Sequence, residues 1–185
     1  MSAAGYTLFD TPIGRCGIAW GPAGLIGLQL PEADDRAAAA RLRRRFPALD
    51  RAEPPAAVAA AIERIRAFLA GAGDDFLDLR LDDGALGAWD RAVYEAARRI
   101  PAGSTTTYGA LAAGLGDPGQ ARAVGQALGR NPWPIVVPCH RITAAEGRMG
   151  GFSAPGGTRT KLRLLEIEGA LAPETLPLFG PPAGS

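Results

Sequence analysis

Residues 104–129, STTTYGALAAGLGDPGQARAVGQALG, decide the fold of the second half of the chain. Residues 104–107 carry four hydroxyl side chains that can cap a helix, and an apolar, alanine-rich stretch follows them. Asp117 and Pro118 are typical of the cap and first turn of a further helix, which we expect to end at Gly129. Two short helices joined by a tight Gly-Asp-Pro-Gly turn have the proportions of a helix-turn-helix.

The second of these helices is built mainly from small residues. Ala121, Ala123, Gly125 and Ala127 leave Arg122 as its one large donor. Small side chains let a helix backbone approach a partner closely, and an arginine can reach beyond that surface. A packed contact between two helices explains the alanines equally well, so both interpretations stay open.

Charge is distributed unevenly along a chain whose net charge is only +1. Residues 98–163 carry nine basic and two acidic side chains, and both flanking segments are acidic. Arginine supplies nearly all of this positive charge, and its planar donor set suits phosphates. The basic block therefore indicates either a nucleic-acid contact or a solvated basic face.

The first part of the chain combines short β runs with two helices. An arginine-rich helix should begin at Asp34 or Asp35, and Pro54 with Pro55 should open a second one. The alternating stretch FLDLRLD, residues 76–82, predicts a strand. The β runs, which predict a hairpin or meander, are residues 6–9, 16–20 and 25–30.

PIVVPCHRI, residues 134–142, places Cys139 directly before the only histidine, His140. In an extended strand, adjacent side chains point to opposite sides, so a direct hydrogen bond between the two is unfavourable. A reaction centre would need a water relay or a turn right after Pro138. A structural pair in a buried strand is the alternative.

If His140 is a base, its second ring nitrogen needs an orienting acceptor. The candidates downstream are Glu166 and Glu168.

Composition excludes several other classes. Two cysteines and one histidine cannot form a closed four-ligand zinc site, and we expect Cys16 to be a small buried hydrophobe. No apolar run approaches the roughly 18 residues of a membrane span, and the N-terminus lacks the pattern of a signal peptide. These features predict a soluble, cytoplasmic protein.

Several motifs together resemble the methylated-DNA–protein-cysteine methyltransferases, which repair O6-alkylguanine directly. The resemblance runs from about Trp89 to Gly169, and YTLFDTPIGRCGIAW, residues 6–20, resembles the first domain of that family. It rests on TYGALAAGLG (107–116), ARAVGQALGRN (121–131), NPWPIVVPCHRI (131–142), GGFS (150–153) and KLRLLEIEG (161–169).

The resemblance implies an α+β fold in two domains and a tail. Residues 1–83 would form an α/β domain with a ribonuclease-H-like sheet. Residues 84–172 would form a mainly helical winged-helix domain with a helix-turn-helix, and residues 173–185 the tail.

The resemblance also implies roles for individual residues. Cys139 would accept the alkyl group, His140 would act through a water while Glu168 holds it, and Arg141 would brace the site. The other catalytic positions would be Asn131, which braces the active-site turn, and Tyr108, which can donate a proton to the departing guanine. The DNA contacts would be Thr107, Tyr108, Ala121, Arg122, Gly125 and Arg130, with Arg122 replacing the flipped base. The substrate pocket would be formed by Val137, Ile142, Phe152 and Ser153.

The function so implied is a single transfer of the alkyl group from O6-alkylguanine, and from O4-alkylthymine, in double-stranded DNA to Cys139 after base flipping. We expect no cofactor, no metal, no membrane contact and no obligatory protein partner, hence a monomer. The rivals are a non-enzymatic lesion binder, a helix-turn-helix regulator and a cysteine hydrolase.

Two departures from the family pattern concern the pocket: Phe152 replaces a common tyrosine, and residues 153–160 form a longer segment.

Overall fold

The computed structural model describes residues 4–171, so the predicted tail lies outside the described residues. The first part of the chain forms a three-stranded antiparallel meander in which the strands follow one another in chain order. Two tight turns join neighbouring strands, and the register pairs Phe9 with Cys16 and Ile18 with Leu28. The predicted meander is confirmed, with strands β1 (Gly5–Thr11), β2 (Gly14–Gly21) and β3 (Gly24–Gln29).

Two helices follow the meander, as the sequence predicts. In α1 (Asp35–Arg45), Asp34 is the N-cap, and its carboxylate accepts a hydrogen bond from the backbone N–H of Ala37. In α2 (Ala56–Leu69), the preceding prolines preset the backbone for the first turn, and the buried stripe includes Ile65 and Phe68.

The predicted strand over residues 76–82 is wrong. Phe76 has a φ of 52°, in the left-handed region that a strand does not use, and Leu77 is the exposed large hydrophobic residue of a turn. Arg64 of α2 binds the carboxylates of both Asp74 and Asp78, which draws this segment against the helix. Only the end of the segment, Leu81, bridges to β3.

The second part of the chain is mainly helical and contains the predicted helix-turn-helix. Thr107 caps the first helix of the pair, whose first turn begins at the next residue, and Asp117 caps a short 3-10 turn that leads into the second helix. The helices are α3 (Ala88–Arg98), α4 (Tyr108–Gly114), α5 (Ala121–Gly129) and α6 (Thr158–Ile167). Short parallel strands β4 (Thr106–Thr107) and β5 (Ile142–Thr143) join the start of α4 to the segment after Cys139.

One continuous core joins the sheet to the helical part. It extends from Phe9 in β1 to Leu164 in α6, and Trp133 donates its indole N–H to the carbonyl of Leu25. The α+β class is confirmed, whereas the boundary between residues 83 and 84 stays a prediction. Within residues 4–171, no helix is both long enough and apolar enough to cross a membrane.

Candidate active site

The segment before Cys139 is a compact turn rather than a strand. The backbone N–H of Val137 donates to the carbonyl of Trp133 at 2.8 Å, and Ile135 has a φ of 77°. Such a backbone conformation is rare for a β-branched residue and needs support from its surroundings. Asn131 gives that support: its amide donates to the Val137 carbonyl at 2.8 Å and accepts from the Trp133 N–H at 2.9 Å.

A 3-10 turn begins right after Pro138 and holds Cys139, His140 and Arg141, all three of them buried. This is the turn that the reaction-centre interpretation needs. Asn131 Nδ2 also donates to Cys139 Sγ at 3.3 Å. Burial raises the pKa of the Cys139 thiol, while the Asn131 hydrogen bond and the charge of Lys161 act to lower it.

His140 is held on one side and unpartnered on the other. Its Nε2 lies 2.8 Å from Glu168 Oε1, and both side chains are almost completely buried. Because the carboxylate can only accept, Nε2 carries the proton in the neutral ring and Nδ1 is an acceptor. Nδ1 is buried without a hydrogen-bond partner among residues 4–171. Burial lowers the pKa of His140, although the Glu168 hydrogen bond opposes this shift, so the neutral ring, in which Nδ1 is an acceptor, is favoured.

Glu168, not Glu166, is the orienting acceptor. Arg141 donates to Glu168 through Nε at 2.9 Å and Nη2 at 2.6 Å, and to the carbonyl of Ile100 through Nη1 at 2.6 Å. Arg141 thus braces the site, as predicted. Glu166 instead pairs with Arg163 one turn away on α6.

The sequence analysis did not identify Lys161 as a site residue. Its ammonium is completely buried, donates to the carbonyl of Ile142 at 2.5 Å, and lies 5.7 Å from the centre of the Tyr108 ring. No carboxylate pairs with it within the described residues. Burial lowers the pKa of Lys161 to about 8. The one feature of the sequence that sets Lys161 apart is that it is the single lysine in an arginine-rich protein.

A cavity of about 550 Å³ connects Cys139 to the helix-turn-helix. Arg122 of α5 is exposed at this cavity and makes no ion pair within residues 4–171. Gly150 packs so closely on Tyr108 that a Cβ there would lie 2.9 Å from the ring. Six of the predicted residues meet at this cavity, besides Cys139: Tyr108, Ala121, Arg122, Gly125, Phe152 and Ser153.

Cys139 also borders a second cavity, of about 220 Å³, between α1 and the helical part. Arg41, Arg45 and Arg130 line it. The thiol therefore lies between the larger cavity at the helix-turn-helix and a smaller cavity lined by arginines. No group of three or more histidine, cysteine, aspartate or glutamate side chains suited to a metal ion occurs in residues 4–171.

Four of the predicted DNA-contact and pocket residues do not line the larger cavity. Thr107 accepts a hydrogen bond from Ala110 N as the cap of α4, and Arg130 pairs with Asp90 at 2.8 Å. The side chains of Val137 and Ile142 are completely buried in the core and do not line the cavity at the helix-turn-helix.

Comparison with known proteins connects this geometry to a family. The model of the "6-O-methylguanine DNA methyltransferase, DNA binding domain" family matches residues 88–170. A methylated-DNA–protein-cysteine methyltransferase of Mycobacterium tuberculosis is 42% identical over 128 residues, covering 68% of this chain and 73% of the relative. A Thermus thermophilus protein named DNA base-flipping protein is 44% identical over 133 residues, covering 70% of this chain and 88% of the relative. The crystal structure of Mycobacterium tuberculosis OGT in complex with DNA matches with a TM-score of 0.72 and 34% identity, covering 89% of this chain and 92% of that one.

Proposed function

This chain belongs to the methylated-DNA–protein-cysteine methyltransferase family, and on that basis we propose that it repairs O6-alkylguanine in double-stranded DNA by taking the alkyl group onto Cys139. One observation carries the proposal. The thiol lies where a cavity from the helix-turn-helix meets a buried histidine that a carboxylate orients.

The reaction begins with the loss of the thiol proton of Cys139. His140 Nδ1 is the acceptor, through a water molecule, and the developing imidazolium is stabilised by Glu168 at Nε2. Asn131 Nδ2 and the Lys161 charge stabilise the thiolate that remains.

The thiolate then attacks the alkyl carbon of the lesion. The new S–C bond forms as the C–O6 bond breaks, and the electron pair leaves on guanine as an anion. Tyr108, which lines the same cavity, supplies the proton that neutralises this anion, and the proton that His140 took from Cys139 restores the tyrosine hydroxyl through solvent. The product is a thioether without a good leaving group, so each molecule reacts once.

The base must leave the duplex to reach Cys139, because an O6-alkyl group inside a base stack is inaccessible to a buried thiol. Ala121 and Gly125 of α5 present little bulk at the cavity, so the helix backbone can approach the groove closely. Arg122, exposed on the same helix, is long enough to fill the gap that the extruded base leaves.

The rival function is lesion binding without transfer, which the similarity to a base-flipping protein favours. Incubation with a duplex containing O6-methylguanine, followed by intact mass measurement, separates the two. We expect a mass increase of one methyl group on the wild type and none on Cys139→Ser. We also expect Cys139→Ser to bind the duplex within a few-fold of the wild-type affinity, because phosphate contacts dominate binding. A wild type that binds but gains no mass would establish the rival.

A further inference from the structure

An aromatic column leads from the first part of the chain to His140. We define it as Phe76, Phe68 and His140. The Phe76 and Phe68 ring centres are 5.4 Å apart at 66°, and those of Phe68 and His140 are 6.4 Å apart at 65°. All three side chains are at most 1% exposed. An apolar residue of α2 therefore lies against the ring to which the reaction assigns a proton.

The far end of the aromatic column is fixed by charged groups. Phe76 adopts its left-handed backbone conformation while its N–H donates to Asp74 and its carbonyl accepts from Arg98. The Arg64 guanidinium lies 5.4 Å from the centre of the Phe76 ring and binds Asp74 through two hydrogen bonds of 2.8 Å. A strained conformation held from several sides indicates a position that the surroundings determine closely.

We propose that Phe68 is a positioning residue for His140: its ring seals one side of the imidazole against water and keeps Nδ1 aligned with the thiol. The proposal rests on the proposed function only in so far as His140 takes the thiol proton. It gives the first part of the chain, which contains no reacting group, a direct part in the chemistry.

The surroundings of His140 show why this seal matters. The charged groups that influence it are Glu168, which favours the imidazolium, and Arg141 and Lys161, which oppose it; Cys139 is its chain neighbour. Phe68 adds no charge, and its effect is to exclude solvent. Because burial disfavours the charged ring, entry of water after removal of the seal should raise the pKa of His140 while Nε2 stays bonded to Glu168. The less tightly packed ring should also hold Nδ1 less well aligned with the thiol.

His140 is the only histidine in the chain, so its ring-proton NMR signals can be followed in the intact protein without ambiguity. We would titrate the wild type, Phe68→Leu and Phe68→Met, and measure the pH dependence of methyl transfer from the duplex for each. Phe9→Leu is the matched control, because Phe9 is buried in the same core and the substitution removes the same atoms.

We expect the His140 midpoint to rise by roughly half a pH unit or more in both Phe68 variants, and the acid limb of the rate profile to move with it. Transfer at neutral pH should fall about tenfold, as expected when a reacting group is poorly oriented. Phe9→Leu should leave the midpoint and the rate unchanged, and urea unfolding will show that each variant is folded under the assay conditions.

An unchanged His140 midpoint in both Phe68 variants, or an equal loss of rate in Phe9→Leu, would overturn the proposal. The proposed function and the role of Phe68 are tested by different measurements. If the wild type takes up no methyl group, the proposed function is wrong, yet the His140 titration still decides whether Phe68 seals the ring.

Discussion

Replacement of Glu168 by glutamine should destabilise the protein by about 3–5 kcal/mol, the range for removing one partner of a buried ion pair. The Glu168 side chain is 1% exposed and accepts from His140 at 2.8 Å and from Arg141 at 2.9 and 2.6 Å. A glutamine offers one acceptor oxygen and turns an NH₂ group toward these donors. Among residues 4–171, the only other carboxylate near Arg141 is that of Asp75, half exposed and 3.9 Å away.

Urea unfolding monitored by tryptophan fluorescence measures this loss, with Glu166→Gln as the control on the same helix. Glu166 forms an exposed (i, i+3) pair with Arg163, so its loss should amount to less than about 0.5 kcal/mol. Destabilisation below about 1 kcal/mol by Glu168→Gln would refute the claim that this carboxylate compensates a buried cation.

The pH dependence supplies a second check. Burial acts to raise the pKa of Glu168, but the hydrogen bonds from His140 and Arg141 outweigh it, so the folded-state pKa lies below its ordinary value. The stabilisation is therefore present above the ordinary glutamate pKa and is lost as the pH falls through the folded-state value. Glu168→Gln should lack this part of the acid sensitivity.

Three further predictions concern the reaction. His140→Ala should slow methyl transfer by about 10²- to 10⁴-fold, measured by single-turnover kinetics; a wild-type rate at neutral pH would remove His140 from the mechanism. Arg122→Ala should sharply reduce repair in a duplex, where base extrusion costs a few kcal/mol, but leave reaction with free O6-alkylguanine nearly unchanged. An equal loss on both substrates would contradict a role in flipping. Because glycines flank Phe152 in a longer loop, O6-benzylguanine should react within about tenfold of O6-methylguanine in competition kinetics, and discrimination beyond about a hundredfold would argue against a roomy pocket.

Local chemistry explains which parts of the fold the sequence predicts. Asp34 and Thr107 cap helices because a short oxygen-bearing side chain satisfies free N–H groups within its own turn. The helix-turn-helix is predictable for the same reason, since its caps and its turn lie within one short stretch. The Cys139–His140 pair is recognisable from its motif. The residues alone leave Glu166 and Glu168 open as the orienting acceptor, and the family resemblance selects Glu168.

Tertiary contacts explain what the sequence does not predict. Residues 76–82 alternate as a strand should, but Arg64 binds carboxylates on both sides of Phe76 and imposes a turn. Lys161 reads as an ordinary surface lysine, since its burial depends on carbonyl groups distant in sequence. Phe68 belongs to a regular apolar stripe of α2, and nothing in that pattern shows that its ring lies on His140.

The balance of charge around the thiol explains how a buried cysteine can react at all. Arg141 and Lys161 are two buried cations, and in the part of the chain that the structure describes Glu168 is the one carboxylate that pairs closely with either of them. A thiolate at Cys139 interacts favourably with the Lys161 charge and acts to raise the pKa of Lys161 in return, while the imidazolium that takes the proton is held against Glu168. The neutral thiol leaves that charge uncompensated in a medium of low polarity, where an unpaired ion is costly. Lys161 thus favours the ionised nucleophile, and conversion of the sulfur to a neutral thioether returns the site to its less favourable charge state.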